Sequence, residues 1–154
     1  MSDEQWVQVE DAYKRHIESL LPNLPIPIAE LVERVSLHDG LIYRVVVDRL
    51  TRRLTLKLRC GDLQVGYQDV DLLYSGVEFA RLDLLTLTSV VRDRRTELLY
   101  DEFDIDEDRN YIHRILFEPA GEISIKFRSL RLNQTNRSDR SVLYVGDPYQ
   151  ETPG

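Results

Sequence analysis

Trp6, Val9, Tyr13, Ile17, Leu20 and Leu21 recur at helical spacing and mark one apolar stripe at the start of the chain. Ser2 with Gln5 three residues on makes a capping-box pair, and Asp3 and Glu4 sit where the helix dipole favours anions. Pro22 lacks the N–H that would continue the helix, so the pattern predicts a helix over 3–21. Pro22, Pro25 and Pro27 stiffen the connector, and Pro27 suits the first turn of a second, short helix over 27–35. Ile28, Leu31, Val32 and Val35 give that helix its apolar face.

From Leu41 the period drops to two. Leu41, Tyr43, Val45 and Val47 alternate with Ile42, Arg44, Val46 and Asp48, and Leu54, Leu56, Leu58 and Cys60 alternate with Thr55, Lys57 and Arg59. The link at 50–53 has hairpin length. A third strand over 63–74 changes parity near Gln68 and Asp69, which predicts a β-bulge there. Leu84, Leu87 and Val91 predict a short helix within 81–91. Strands then follow over 98–105, 111–118 and 122–132, the last two joined by a tight turn at Pro119, Ala120 and Gly121. The short links favour antiparallel neighbours. The expected fold is α+β and mainly β, an antiparallel curved sheet, sandwich or half-open barrel of about six strands with the N-terminal helix packed on it. One domain spans 1–132, with its β region at 41–132. Residues 133–154 read as a loose tail in which Val142 to Val145 can dock as an edge strand.

Composition narrows the classes. The chain of 154 residues suits one domain and carries a net charge of −7, which disfavours phosphate backbones unless basic residues cluster. One cysteine, Cys60, rules out an internal disulfide and favours a reducing compartment. The acidic start lacks a signal-peptide pattern, and no apolar run is long enough to span a bilayer, so a cytoplasmic location without membrane insertion is expected.

The chemistry on offer is mostly charge. Seven carboxylates and no basic residue lie between Glu97 and Asp108. Alternation puts Glu102, Asp104 and Asp106 on one strand face, with Glu107 and Asp108 at the tip, either as a guard against sheet aggregation or as a surface for a basic protein partner. Asp104, Asp106 and Asp108 begin like a calcium loop, but Arg109 stands where the turn glycine belongs and Ile115 where the closing Glu belongs, so no metal is expected. Arg44, Arg49, Arg52, Arg53, Lys57 and Arg59 gather in the first hairpin without interleaved aromatics. Cross-strand pairing with the acidic segment is therefore expected there, and nucleic acid is disfavoured. No phosphate loop, nucleophile elbow or zinc spacing occurs, so no cofactor and no catalytic residue are assigned. Cys60 belongs to an inward apolar set and reads as an inert buried thiol. His113 likewise points to the core.

Ser36, Leu37, His38, Asp39 and Gly40 form a polar cluster between helix and strand. His38 and Asp39 read as structural polar residues that satisfy the helix end and the turn, with proton transfer as the alternative. This motif, the strand over 43–47 and the hairpin strand over 54–58 resemble a loose set of small, largely uncharacterised bacterial proteins. Their mark is Leu-His-Asp-small before the first strand. The resemblance extends over about 35–132 through the strands at 114–119 and 122–127. Some similar small acidic proteins are immunity partners of toxins, which implies a bacterial, non-enzymatic protein-binding module. The alternatives are a small enzyme or ligand-binding barrel with its site near His38, Asp39 and His113, and a homodimeric structural protein joined through the first helix.

Overall fold

The computed structural model describes residues 2–144 and 146–152. Helix α1 (Asp3–Leu20) opens with the expected reciprocal cap: the Gln5 N–H donates to the Ser2 hydroxyl, and the Ser2 N–H donates to the Gln5 side chain. A 3₁₀ turn containing Pro22 ends it, and α2 (Ile26–Arg34) follows with Pro27 in its first turn.

Eight strands follow: β1 (Leu41–Asp48), β2 (Arg53–Asp62), β3 (Gly66–Ser75), β4 (Glu97–Ile105), β5 (Tyr111–Glu118), β6 (Glu122–Phe127), β7 (Ser129–Arg137) and β8 (Tyr149–Thr152). They form a five-stranded sheet ordered β7-β3-β2-β1-β8 and a three-stranded sheet ordered β4-β5-β6. Every pairing is antiparallel except β1 with β8. The fold is therefore α+β and mainly β, with the N-terminal helix packed on it and no closed barrel. The two inner faces meet in one core, where the Tyr74 and Phe127 rings stand edge to face at 5.0 Å. Helix α3 (Leu84–Arg92) is capped by Asp83, whose carboxylate accepts from the Thr86 N–H, and adds Leu87, Val90 and Val91 to that core.

The structure departs from the pattern-based expectation at four places, each with a local cause. The strand expected over 122–132 is two strands in different sheets. Its apolar set shifts from Ile123, Ile125 and Phe127 to Leu130, and the chain crosses between sheets at Arg128, whose N–H donates to the Ser75 carbonyl. No bulge lies at Gln68 and Asp69, where β2 and β3 pair without a break. Leu63 and Val65 belong to the preceding turn and are exposed, so the parity change marks a turn rather than a bulge. Bulges occur instead in β1 between Ile42 and Arg44 and in β4 between Leu98 and Tyr100.

The fourth departure is the tail. Strand β7 extends to Arg137, and β8 adds to β1 at its edge. Val142, Leu143 and Tyr144 are not in a strand, and Val145 lies outside the described residues. The segment holds with little apolar burial because arginines grip its backbone and carboxylates. The Arg59 guanidinium donates to the carbonyls of Asp139 and Ser141, Arg92 meets Asp147 at 2.6 Å, and Arg49 pairs with Glu151.

Candidate functional site

Glu102, Asp104 and Asp106 share the outer side of the smaller sheet, and the chain supplies a cation to each. Arg114, opposite Glu102 in β5, lies 3.4 Å from the Glu102 carboxylate and 3.7 Å from Asp104. Asp104 also meets His16 of α1 at 3.1 Å. Asp106 stands beyond the end of β4, pairs with Lys126 at 2.8 Å and accepts the N–H groups of Asp108 and Asn110, fixing the turn. Partial burial works to raise the Asp104 carboxyl, but the His16 bond, the Ile105 N–H and the nearby Arg114 outweigh it and hold it below the usual carboxylate range. The Lys126 bond lowers Asp106 likewise. Only Glu107 and Asp108 of the five are exposed, at the turn tip.

Helix α1 covers this side. Its Tyr13 hydroxyl accepts the Phe103 N–H at 2.7 Å, and Tyr100 packs against both Trp6 and Tyr13. Burial, with Asp101, Glu102 and Asp104 nearby, pushes Tyr13 up to about 12 against the lowering effect of the Phe103 bond. A tyrosine on the stripe thus satisfies a backbone donor on the open edge of β4, as an edge strand requires.

The motif at 36–40 performs the matching task nearer the start of β4, on partners other than those expected. His38 Nδ1 donates to the Leu99 carbonyl at 2.7 Å, so its backbone partner lies on the β4 bulge and not at the end of α2. Asp39 adopts φ 61°, its N–H donates to the Leu98 carbonyl, and its carboxylate faces His38 Nε2 at 3.3 Å. Gly40 is required by close approach: a Cβ there would meet the Leu37 carbonyl oxygen at 2.7 Å and the Cys60 sulfur at 3.0 Å. The Leu-His-Asp-Gly run therefore seals one end of an exposed sheet edge.

Two clefts flank His38. The larger, about 560 Å³, lies between α1, α2 and β4 and is lined by Trp6, Glu10, Glu33, Tyr100 and Asp101. The smaller, about 420 Å³, lies beside the β2–β3 hairpin and is lined by Asp39, Asp62, Val65 and Tyr67. Arg34, Ser36 and His38 belong to both, so the two form one groove with His38 at its divide. Five acidic residues line it, with Arg34 as the single arginine. Among the described residues, Glu10 and Glu33 have no ionic or hydrogen-bonding partner.

His113 lines neither cleft. It is fully buried, stacked on Phe103 at 4.0 Å, with Asp101 at 2.7 Å from Nε2 and the Tyr74 hydroxyl at 2.7 Å from Nδ1. Asp101 only accepts, so Nε2 carries the proton and Nδ1 accepts from Tyr74, leaving both ring nitrogens satisfied. Burial and the Asp101 charge push the Tyr74 phenol well above its usual value. His38, Asp39 and His113 therefore do not converge on one cavity, and Asp101 is the residue that joins groove to core. Cys60 is buried as expected, its thiol pushed up to about 12 by burial and by Asp101 and Asp69.

The basic hairpin finds its anions away from the 97–108 segment. Arg59 and Arg137 share Asp69, Lys57 lies 3.9 Å from Asp71, and Arg49 pairs with Glu151 of β8. The β1 bulge brings Tyr43 to the same side as Arg59, whose guanidinium stands 5.9 Å from the ring centroid. Strict alternation assigns Tyr43 to the opposite face.

Glu10, Glu33 and Asp101 are groove residues that periodicity did not single out, and Trp6 stood out only as a member of the apolar stripe of α1. The signal in the sequence was the pair of aromatics, Trp6 and Tyr13, in the first stripe. No helix among the described residues is long and apolar enough to cross a membrane. No family model, curated protein or solved structure matches the chain.

Proposed function

We propose that this protein is a non-enzymatic protein-binding module that receives a basic partner in the groove divided by His38. The observation that carries this reading is the pair of unpartnered carboxylates, Glu10 and Glu33, in a groove that also presents Trp6 and the edge of β4. Charge of one sign in a concave site speeds encounter and selects the opposite sign. The exposed Leu63 and Val65, at the hairpin beside the smaller cleft, add apolar contact at the far end. The partner class expected from sequence is retained, while its surface moves from the strand ridge at 102–106, whose charges are met within the chain, to the groove. A protein partner also accords with the resemblance to immunity proteins.

The test compares partners captured by the wild-type chain, by Glu10→Lys/Glu33→Lys, and by Glu107→Gln/Asp108→Asn. A directly bound basic protein should be lost with the first variant and kept with the second, and the loss should shrink as salt rises. Equal recovery by wild type and the groove variant would end the proposal. Loss with the tip variant alone would return the interface to the acidic turn.

A further inference from the structure

Strand β4 is an edge of the smaller sheet, and its outward backbone groups are closed on both sides of one residue. Toward its start, the Leu98 N–H donates to the Gly40 carbonyl, the Leu98 carbonyl accepts from the Asp39 N–H, and the Leu99 carbonyl accepts from His38. Toward its end, the Phe103 N–H donates to Tyr13. Leu98, Asp101 and Phe103 pair with Phe117, Ile115 and His113, which are alternate positions of β5. In an antiparallel ladder such alternate positions share one hydrogen-bonding direction, so the N–H and C=O of Asp101 point outward with those of Leu98 and Phe103. No turn, loop or cap bond among the described residues reaches them. Asp101 lines the larger cleft, while its carboxylate is held inward by His113.

Building on the proposed groove, we infer that the partner enters it as an extended segment that adds to β4. One residue of the segment exchanges both backbone hydrogen bonds with Asp101, as in other strand-addition complexes. His38 and Tyr13 bound the window and set the register. A cationic side chain of the segment meets Glu10 and Glu33, and an apolar one lies against Trp6. The occupant is thus a basic, alternating stretch of a protein partner, chosen by charge complementarity with a groove lined by five acidic residues, Glu10 and Glu33 among them, and one arginine.

Trp6 is the sole tryptophan and lines the cleft, so its emission reports occupancy directly. The probe is a capped decapeptide of alternating Lys and Val. Two further forms are N-methylated, one on the Lys nitrogens and the other on the Val nitrogens. All three carry the same charge, but each methylated form blocks a different edge of the extended chain. Strand addition predicts saturable binding of the parent peptide and affinities of the two methylated forms that differ by roughly tenfold, the usual effect of blocking one edge's hydrogen bonds. Equal affinities of the methylated forms would overturn strand addition while leaving the groove reading intact. Absence of any saturable change in Trp6 emission with the parent peptide would overturn the groove reading itself. So would unchanged binding of that peptide to Glu10→Gln/Glu33→Gln.

Discussion

Two regions of this molecule concentrate carboxylates, and they differ in what faces them. On the outer side of the smaller sheet, Glu102, Asp104 and Asp106 each meet a cation from another element: Arg114 of β5 for the first two and Lys126 of β6 for the third. In the groove, Glu10 and Glu33 stand on two helices with no ion pair among the described residues. The first region is the more conspicuous in sequence, because its charges lie close together along the chain, and the less available in space, because strand pairing brings cations to it and α1 covers it. Availability depends on what the fold sets opposite a charge and not on the density of charge along the chain. Carboxylates matched within the chain should therefore carry stability, and unmatched ones should carry binding.

The sharpest test of the first half uses the most buried pair, Arg59 with Asp69, whose side chains are 9% and 6% exposed. Arg59→Met leaves Asp69 with Arg137 as its remaining cation and releases the carbonyls of Asp139 and Ser141. Removing one partner of a buried pair costs about 3–5 kcal/mol, and the remaining Arg137 places this change at about 3. Denaturant unfolding should show the loss, and limited proteolysis should show the segment around Asp139 and Ser141 opening before the rest. A loss below about 1 kcal/mol would mean that the tail is held by its strand pairing and not by the arginines.

Asp101 stands between the two regions, since it lines the groove and yet is matched by buried His113. Tyr74→Phe removes the donor to His113 Nδ1 and should cost about 1–2 kcal/mol, the range for a buried acceptor left unpaired. Peptide binding at Trp6 should stay as in wild type, because Asp101 remains tied through Nε2. A change in binding without a change in stability would place the network in recognition instead.

The features legible in sequence are those set by local chemistry. The Ser2–Gln5 cap, the Pro22 stop, the helix within 81–91 and the strand at 111–118 all follow from spacing and turn residues a few positions apart. Features set by distant partners were hidden. The sheet crossing at Arg128 showed itself only as a parity shift, and a turn containing Leu63 and Val65 imitated the same signal. Strand β8 had no signal, because Tyr149, Gln150, Glu151 and Thr152 bury little and depend on arginines about a hundred residues away. Of the site, the role of His38 in holding backbone was legible, but its actual partner, the Leu99 carbonyl, was not.

A smaller effect is expected on acidification of the matched region. Asp69, Asp104 and Asp106 have folded pKa values below their ordinary 3.8, so their contribution is complete above that value. It is lost as pH falls through the depressed folded values. Stability should be nearly flat down to about pH 4 and then decline. Asp104→Asn/Asp106→Asn should flatten part of that decline, since each Asn keeps a side-chain acceptor while losing its charge. An acid limb of unchanged slope in the double variant would show that these two carboxylates are matched in geometry only.

The smallest stability effect should come from the groove, and its smallness is what makes the comparison decisive. Glu10 and Glu33 are exposed and unpartnered, so neutralising them removes no favourable contact and relieves mutual repulsion with Asp101. Glu10→Gln/Glu33→Gln should leave the denaturation midpoint within about 0.5 kcal/mol of wild type, the usual range for surface changes away from caps and pairs. The same variant should lose binding of the Lys-Val peptide, mainly through slower association, and wild type at high salt should behave like the variant at low salt. Silent stability with lost binding would separate the two regions as argued. If the variant were clearly destabilised, Glu10 and Glu33 would have partners within the fold, and the groove would be a second matched region with no claim on a partner.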